Sequence, residues 1–108
     1  MSESIIRADA PLVTLINVFT ADPGRAATPH RALAEGHRLG LVPSPGLHLA
    51  NLHPSLDGTK VVNYAQWESQ EAFQAMLGDP NAGPLLSELA EIATPAPVLC
   101  EVVSVHHA

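Results

Sequence analysis

The stretch from Asp57 to Phe73, Asp-Gly-Thr-Lys-Val-Val-Asn-Tyr-Ala-Gln-Trp-Glu-Ser-Gln-Glu-Ala-Phe, constrains the fold more than any other part of the chain. Asp57-Gly58 is a two-residue hairpin signal, because both residue types tolerate positive φ. The residues after it alternate as a strand does. Val61, Asn63, Ala65 and Trp67 share one face, and Val62, Tyr64 and Gln66 share the other. A strand face made only for packing uses Val, Ile or Leu. An amide and an indole on the same apolar face are therefore candidates for contact with a ligand. Ser69 follows as a helix cap, and Gln70 to Leu77 are good helix formers.

The rest of the chain supplies the partners of this hairpin and helix. Residues 1–10 read as a mixed tail, and residues 11–108 as a single domain. Val13 to Thr20 is β-branched and bounded by Pro11 and by Ala21-Asp22-Pro23-Gly24, which predicts a first strand. Thr28-Pro29 opens a helix over about His30 to Leu39, with Gly40 placed to end it. Pro43-Ser44-Pro45-Gly46 is a turn cluster before a second strand, Leu47 to His53, and Lys60 to Trp67 is the third. Asp79-Pro80-Asn81-Ala82-Gly83 breaks the chain before a helix over about Pro84 to Ile92. Pro95-Ala96-Pro97 precedes a fourth strand, Val98 to Val105. The order β-α-β-β-α-α-β predicts an α+β, ferredoxin-like fold with an antiparallel sheet and helices on one face. The other face would carry Ile16, Val18, Val62 and Tyr64, joined by Leu99 and Val103. Its burial calls for a second sheet, so a homodimer closing into a dimeric α/β barrel is expected.

Composition removes several functional classes. The chain has 108 residues, 46% of them hydrophobic and 15% charged, which suits one globular domain. Its 11 acidic residues outweigh 5 basic ones, giving a net charge of −6 and no basic footprint for nucleic acid or an anionic membrane. No apolar run approaches the ~20 residues of a membrane span. Met-Ser-Glu-Ser does not resemble a secretory leader. Cys100 is the single cysteine, in keeping with a reducing, cytoplasmic location. Phosphate loops and dinucleotide fingerprints are absent. His106-His107 would point to opposite sides of a strand, and no set of three or four convergent ligands can be assembled, so no metal site is expected.

Asp57-Gly58-Thr59 followed by Val62-Asn63-Tyr64-Ala65-Gln66-Trp67-x-Ser69-x-x-Ala72-Phe73 resembles the antibiotic biosynthesis monooxygenase family of the dimeric α/β-barrel superfamily. Pro45-Gly46 and His53-x-Ser55 add to the likeness, and the element order extends it over nearly the whole chain. The resemblance is to members such as the actinorhodin-pathway enzyme, which oxidise a phenolic anthrone to a quinone with molecular oxygen and without flavin or metal. It implies a small aromatic substrate, O2 as co-substrate and no cofactor. It matches Asn63 and Trp67 to the family's strand Asn and Trp, and His53 to a His late in the second strand. A helical Tyr of the actinorhodin-type enzyme falls at Phe73, and a helical Arg falls near Leu85 or Leu86, so phenol and guanidinium are both missing here. Haem-degrading relatives share the Trp and an Asn at Asn17. They also need a His after the Trp, and none lies between Trp67 and His106.

The chemistry is compatible with these residues. Oxidation of an electron-rich phenolate by oxygen asks a protein to remove a proton, hold the anion and exclude water. Asn63 can donate to an oxyanion, and Trp67 offers a flat aromatic face and an N–H. Asn17, alternating with Leu15 and Phe19, would face the same cavity. Phe19, Leu33 and Phe73 are expected substrate contacts alongside Asn17. His37 is a candidate base, on the side of its helix shared with His30 and Leu33. His53 is a second candidate. A tight turn would set it opposite Val62 and away from Asn63, and a bulged turn would reverse that. The competing reading is a non-oxidising ligand-binding or cyclase-like dimer on the same fold, which the apolar Phe73 and the missing Arg favour.

Overall fold

The structure is a computed structural model that describes residues 3–21, 27–38 and 45–108, without the side chains of residues 27, 28, 30, 37 and 38. The elements run β1 (Val13–Thr20), α1 (Ala27–Arg38), β2 (Leu47–Pro54), β3 (Lys60–Trp67), α2 (Gln70–Leu77), α3 (Gly83–Ile92) and β4 (Pro97–Cys100). This is the expected order. The strands form one 4-stranded sheet in the order β2-β3-β1-β4, antiparallel throughout.

The alternation in β1 and β3 decides how the sheet packs. Leu15, Phe19, Val61, Ala65 and Trp67 are buried on the face that meets the helices. Leu33 of α1 and Leu85 and Leu89 of α3 close over Phe19 and Val61, while Phe73 of α2 closes over Leu15, Ala65 and Trp67. Ser69 caps α2 as its sequence suggests, its Oγ accepting from the Ala72 amide at 3.1 Å. Gly46 ties β2 to the start of α2. Its carbonyl accepts from the Glu68 amide at 2.6 Å, its φ is +87°, and a Cβ there would stand 2.8 Å from that of Ala72. Only glycine meets both conditions without strain.

The hairpin between β2 and β3 is wider than a two-residue Asp-Gly turn. The strands stop at Pro54 and Lys60, and Ser55–Thr59 forms the connection, with only Gly58 at positive φ (74°) among its residues. Asp57 organises it instead of forming a corner. Its Oδ1 accepts from the Ser55 hydroxyl at 2.7 Å, the Thr59 hydroxyl at 2.7 Å and the Thr59 amide at 3.0 Å. These bonds lower the Asp57 pKa from 3.8 to about 2. The register is nevertheless that of a tight turn, with His53 opposite Val62.

The fourth strand departs from expectation in length and register. It ends at Cys100, and residues 101–108 carry no regular structure, leaving Val103 exposed. Leu99 pairs with Leu15 and packs among the residues under the helices, so it does not belong to the outer face. Val98, opposite Ile16, takes that place and is 56% exposed. Pro97 is tolerated because β4 is an edge strand, where the missing N–H costs no ladder bond. On the outer face Ile16, Val18, Val62 and Tyr64 are only partly covered. At one end, residues of the N-terminal segment lie over His48, Leu49 and Gln66, and the Ser4 hydroxyl donates to Asn51 Oδ1 at 2.6 Å.

Candidate active site

Between the helix-covered face of the sheet and the helices lies a cleft in two connected parts. The deep chamber, of about 70 Å³, has a floor of Leu15, Asn17 and Phe19 from β1 and Asn63, Ala65 and Trp67 from β3. Leu47 and Ala50 of β2 extend that floor, and Phe73, Met76, Leu85, Leu86 and Leu89 roof it. The outer part, of about 230 Å³, shares Asn17, Phe19, Phe73, Leu77, Leu86 and Leu89 with the chamber and reaches the surface at Ala90, Pro95 and Pro97. Together they approach the lower end of the roughly 300–1,000 Å³ usual for small-molecule sites.

Strand pairing places the polar groups. Asn17 stands directly opposite Asn63, with Leu15 opposite Ala65 on one side and Phe19 opposite Val61 on the other. The result is a pair of amides side by side in an otherwise hydrocarbon floor. Asn17 Oδ1 accepts from the Ala96 amide at 3.2 Å, which fixes that side chain against the segment leading into β4. Asn63 is 9% exposed, and its Oδ1 has no hydrogen-bond partner. Trp67 is 2% exposed, and its Nε1–H has none either. Each such group costs about 1–3 kcal/mol when buried unpaired, so folded proteins retain few of them. Here a donor and an acceptor, both unpaired, line one chamber. The Trp67 ring is held edge-on to Phe73, with centroids 5.8 Å apart and planes at 62°. Phe73 therefore orients the indole through its quadrupole and adds no polar group of its own.

Of the residues singled out from sequence, Asn17, Phe19, Leu33, Asn63, Trp67 and Phe73 all line the deep chamber. His53 does not. Paired with Val62, it points to the outer face and is exposed, because the register of β2 on β3 puts Leu52, and not His53, opposite Asn63. His37 belongs to the last turn of α1, and its side chain lies outside the described residues. Sequence reasoning passed over Leu47, Ala50, Met76, Leu77, Ala82 and Leu89. The helical ones had a signal, since Phe73, Met76 and Leu77 repeat at i, i+3, i+4 and Leu85 and Leu89 at i, i+4. Leu47 had none, because an irregularity between Leu47 and Leu49 resets which β2 residues face inward. Among the described residues, no group of three or more His, Cys, Asp or Glu side chains can hold a metal ion. No described residue lining either part of the cleft is titratable.

The sequence model of the antibiotic biosynthesis monooxygenase family matches residues 12–82. Tetracenomycin-F1 monooxygenase of Streptomyces glaucescens is 37% identical over 91 residues, which is 84% of this chain and 81% of that protein. The monooxygenase ActVA-Orf6 of Streptomyces coelicolor, solved with nanaomycin D, superposes with a TM-score of 0.71 at 29% identity, covering 89% of this chain and 91% of that one. SnoaB of Streptomyces nogalater, a cofactor-independent oxygenase solved as an Asn-to-Ala mutant, gives a TM-score of 0.75 at 25% identity over 89% of this chain and 97% of that one. With the family model matching residues 12–82 and a relative 37% identical over 84% of the chain, the chain belongs to the antibiotic biosynthesis monooxygenase family.

Proposed function

We propose that this protein is a cofactor-independent monooxygenase that oxidises a fused-ring aromatic polyketide, anthrone or phenol to quinone, with O2. The observation that carries this reading is the unpaired donor and acceptor, Trp67 Nε1–H and Asn63 Oδ1, in an apolar chamber. A phenol–ketone edge supplies one group of each kind, and the flat rings suit the slot between Trp67, Phe73 and the leucines of α3. The named relatives act as monooxygenases, and one neighbour holds nanaomycin D.

The chemistry needs little from the protein. A ring CH₂ loses a proton, and its electrons spread onto the ring oxygens. The carbanion adds O2, giving a peroxide, and loss of water leaves the ketone, so that CH₂ and O2 become C=O and H2O. The Asn63 amide and the Trp67 N–H hold the oxyanion in a site with few competing dipoles. His37, four residues after the cavity-lining Leu33, is the proposed proton acceptor. We take the working unit to be a homodimer, because Ile16, Val18, Val62, Tyr64 and Val98 leave the outer sheet face incompletely covered. We place it in the cytoplasm, where the free Cys100 stays reduced. No helix among the described residues is long and apolar enough to cross a membrane.

A second reading, a non-oxidising binding or cyclase-like dimer, draws on the absence of titratable groups among the described lining residues. Oxygen uptake by the metal-stripped protein on anthrone, beside Asn63→Ala and Trp67→Phe, separates the two. Uptake well above the spontaneous rate that falls in both variants supports oxygenation. Uptake at the spontaneous rate with anthrone bound supports the second reading.

A further inference from the structure

The two parts of the cleft divide their lining residues in a way that orders a ligand from end to end. Asn63 and Trp67, with the unpaired acceptor and donor, line the deep part of about 70 Å³. Ala90, Pro95 and Pro97 line the outer part of about 230 Å³. Phe73, Leu77, Leu86 and Leu89 line both, and so wall the passage between them on the helix side. Helical spacing produces that wall. Phe73 and Leu77 stand at i, i+4 on α2, and Leu86, Leu89 and Ala90 at i, i+3, i+4 on α3. Leu89 is buried in the core, while Ala90, the next residue, is exposed at the mouth. Leu77, the last residue of α2, is 47% exposed, an apolar surface that a ligand in the outer part would cover.

Volume decides how a fused-ring molecule can lie here. An apolar cavity of about 150 Å³ is what a single benzene ring occupies. The deep part is smaller than that, so it takes only the edge that meets Asn63 and Trp67. The other rings must run through the passage into the outer part, which has room for more than one. The far wall of the outer part is stiff. Pro95 and Pro97 have fixed φ, and Ala96 between them is tied to β1, its N–H donating to Val18 O at 3.0 Å and its carbonyl accepting from the Val18 amide at 3.4 Å.

Resting on the proposed function, we infer that the outer part is a subsite that measures the length of the ring system, with Ala90 as the residue that sets its limit. The phenol–ketone edge enters the deep part, and the rings beyond it lie along Leu77, Ala90 and the Pro95–Pro97 wall. The favoured substrate is a polycycle extended in one direction from that edge, and a two-ring phenol leaves the subsite empty.

The test uses three neutral probes that share the phenol–ketone edge and differ in the rings beyond it: 8-hydroxy-1-tetralone, 1-hydroxyanthraquinone and 1-hydroxy-5,12-naphthacenequinone. Trp67 is the only tryptophan in the chain, so quenching of its fluorescence reports occupancy of the deep part. Each added ring should tighten binding roughly tenfold, through the apolar area it buries. Ala90→Leu, a good helix former at an exposed helical position, shortens the outer part without disturbing the core. It should weaken the four-ring probe at least about tenfold and the two-ring probe less than about twofold. Asn63→Leu, which alters the shared edge, should weaken all three probes by a similar factor. A four-ring probe that binds no more tightly than the two-ring one would overturn the inference, as would an Ala90→Leu protein that weakens both alike or neither. Oxygen uptake on anthrone, measured alongside, tests the proposed function separately. Uptake without length dependence removes the inference and leaves that function; length dependence without uptake keeps the subsite and removes that function.

Discussion

Replacing Asn63 by leucine should make the ligand-free protein more stable and far less active. Asn63 Oδ1 is buried without a partner in a chamber whose other walls are almost wholly hydrocarbon. Removing an unsatisfied carbonyl of this kind recovers about 1–3 kcal/mol. Leucine also buries more apolar surface, and the adjoining space of about 70 Å³ takes up its extra volume with little overpacking. A net gain of about 1 kcal/mol would raise Tm by roughly 4–8 °C in a domain of this size. The same change removes an oxyanion contact, and losing one such contact typically lowers kcat by about 10²–10³. Thermal melts at one fixed protein concentration, needed because the proposed dimerisation would make Tm concentration-dependent, would be set beside initial rates of oxygen uptake. A fall in Tm, with activity reduced only in proportion to the folded fraction, would refute the reasoning. It would show that the amide serves the fold.

Three further outcomes follow from the structure. Gly46→Ala should cost about 2 kcal/mol or more in urea unfolding, from positive φ together with the 2.8 Å approach to Ala72 Cβ; a cost under about 0.5 kcal/mol would contradict that geometry. Asp57 has a folded pKa lowered to about 2 from its ordinary 3.8 by the hydrogen bonds it accepts from Thr59 and Ser55, so its contribution to stability holds above about pH 4 and is lost as pH falls through about 2. A carboxyl titration by NMR checks this, and a midpoint near 3.8 would contradict it. His53→Ala should leave turnover unchanged, because His53 faces away from the cleft; a tenfold loss at equal folding would return it to the site.

Strict alternation made the cavity floor legible in the sequence. Leu15, Asn17 and Phe19, like Asn63, Ala65 and Trp67, could be assigned to one face because a strand has only two, and the rungs of β1 and β3 then set Asn17 against Asn63. Faces that depend on pairing were not legible in the same way. Leu99 was expected outside, yet its rung opposite Leu15 turns it inward, and Pro95-Ala96-Pro97 marks where β4 begins without stating its register. Asp57-Gly58 indicated a hairpin but left its register open between a tight and a bulged turn; the pairing of His53 with Val62 settles it, and the width of the turn comes from a side-chain network in which Ser55, Asp57 and Thr59 replace a two-residue corner. The residues at positions 1–10 looked like a tail because they lack periodicity, yet among the described ones Ser4 bonds to Asn51 and so rests against β2.

The central claim is that a cleft built on Asn63 and Trp67 delivers an oxygen atom from O2 without a cofactor. Isotope labelling addresses it most directly: metal-stripped protein and anthrone under ¹⁸O2, with mass analysis of the quinone and of the Asn63→Ala reaction. The account predicts one ¹⁸O atom per quinone and one O2 consumed per turnover, formed well above the spontaneous rate and falling toward it in Asn63→Ala. Quinone formed no faster than without protein, or carrying oxygen from water, would contradict it.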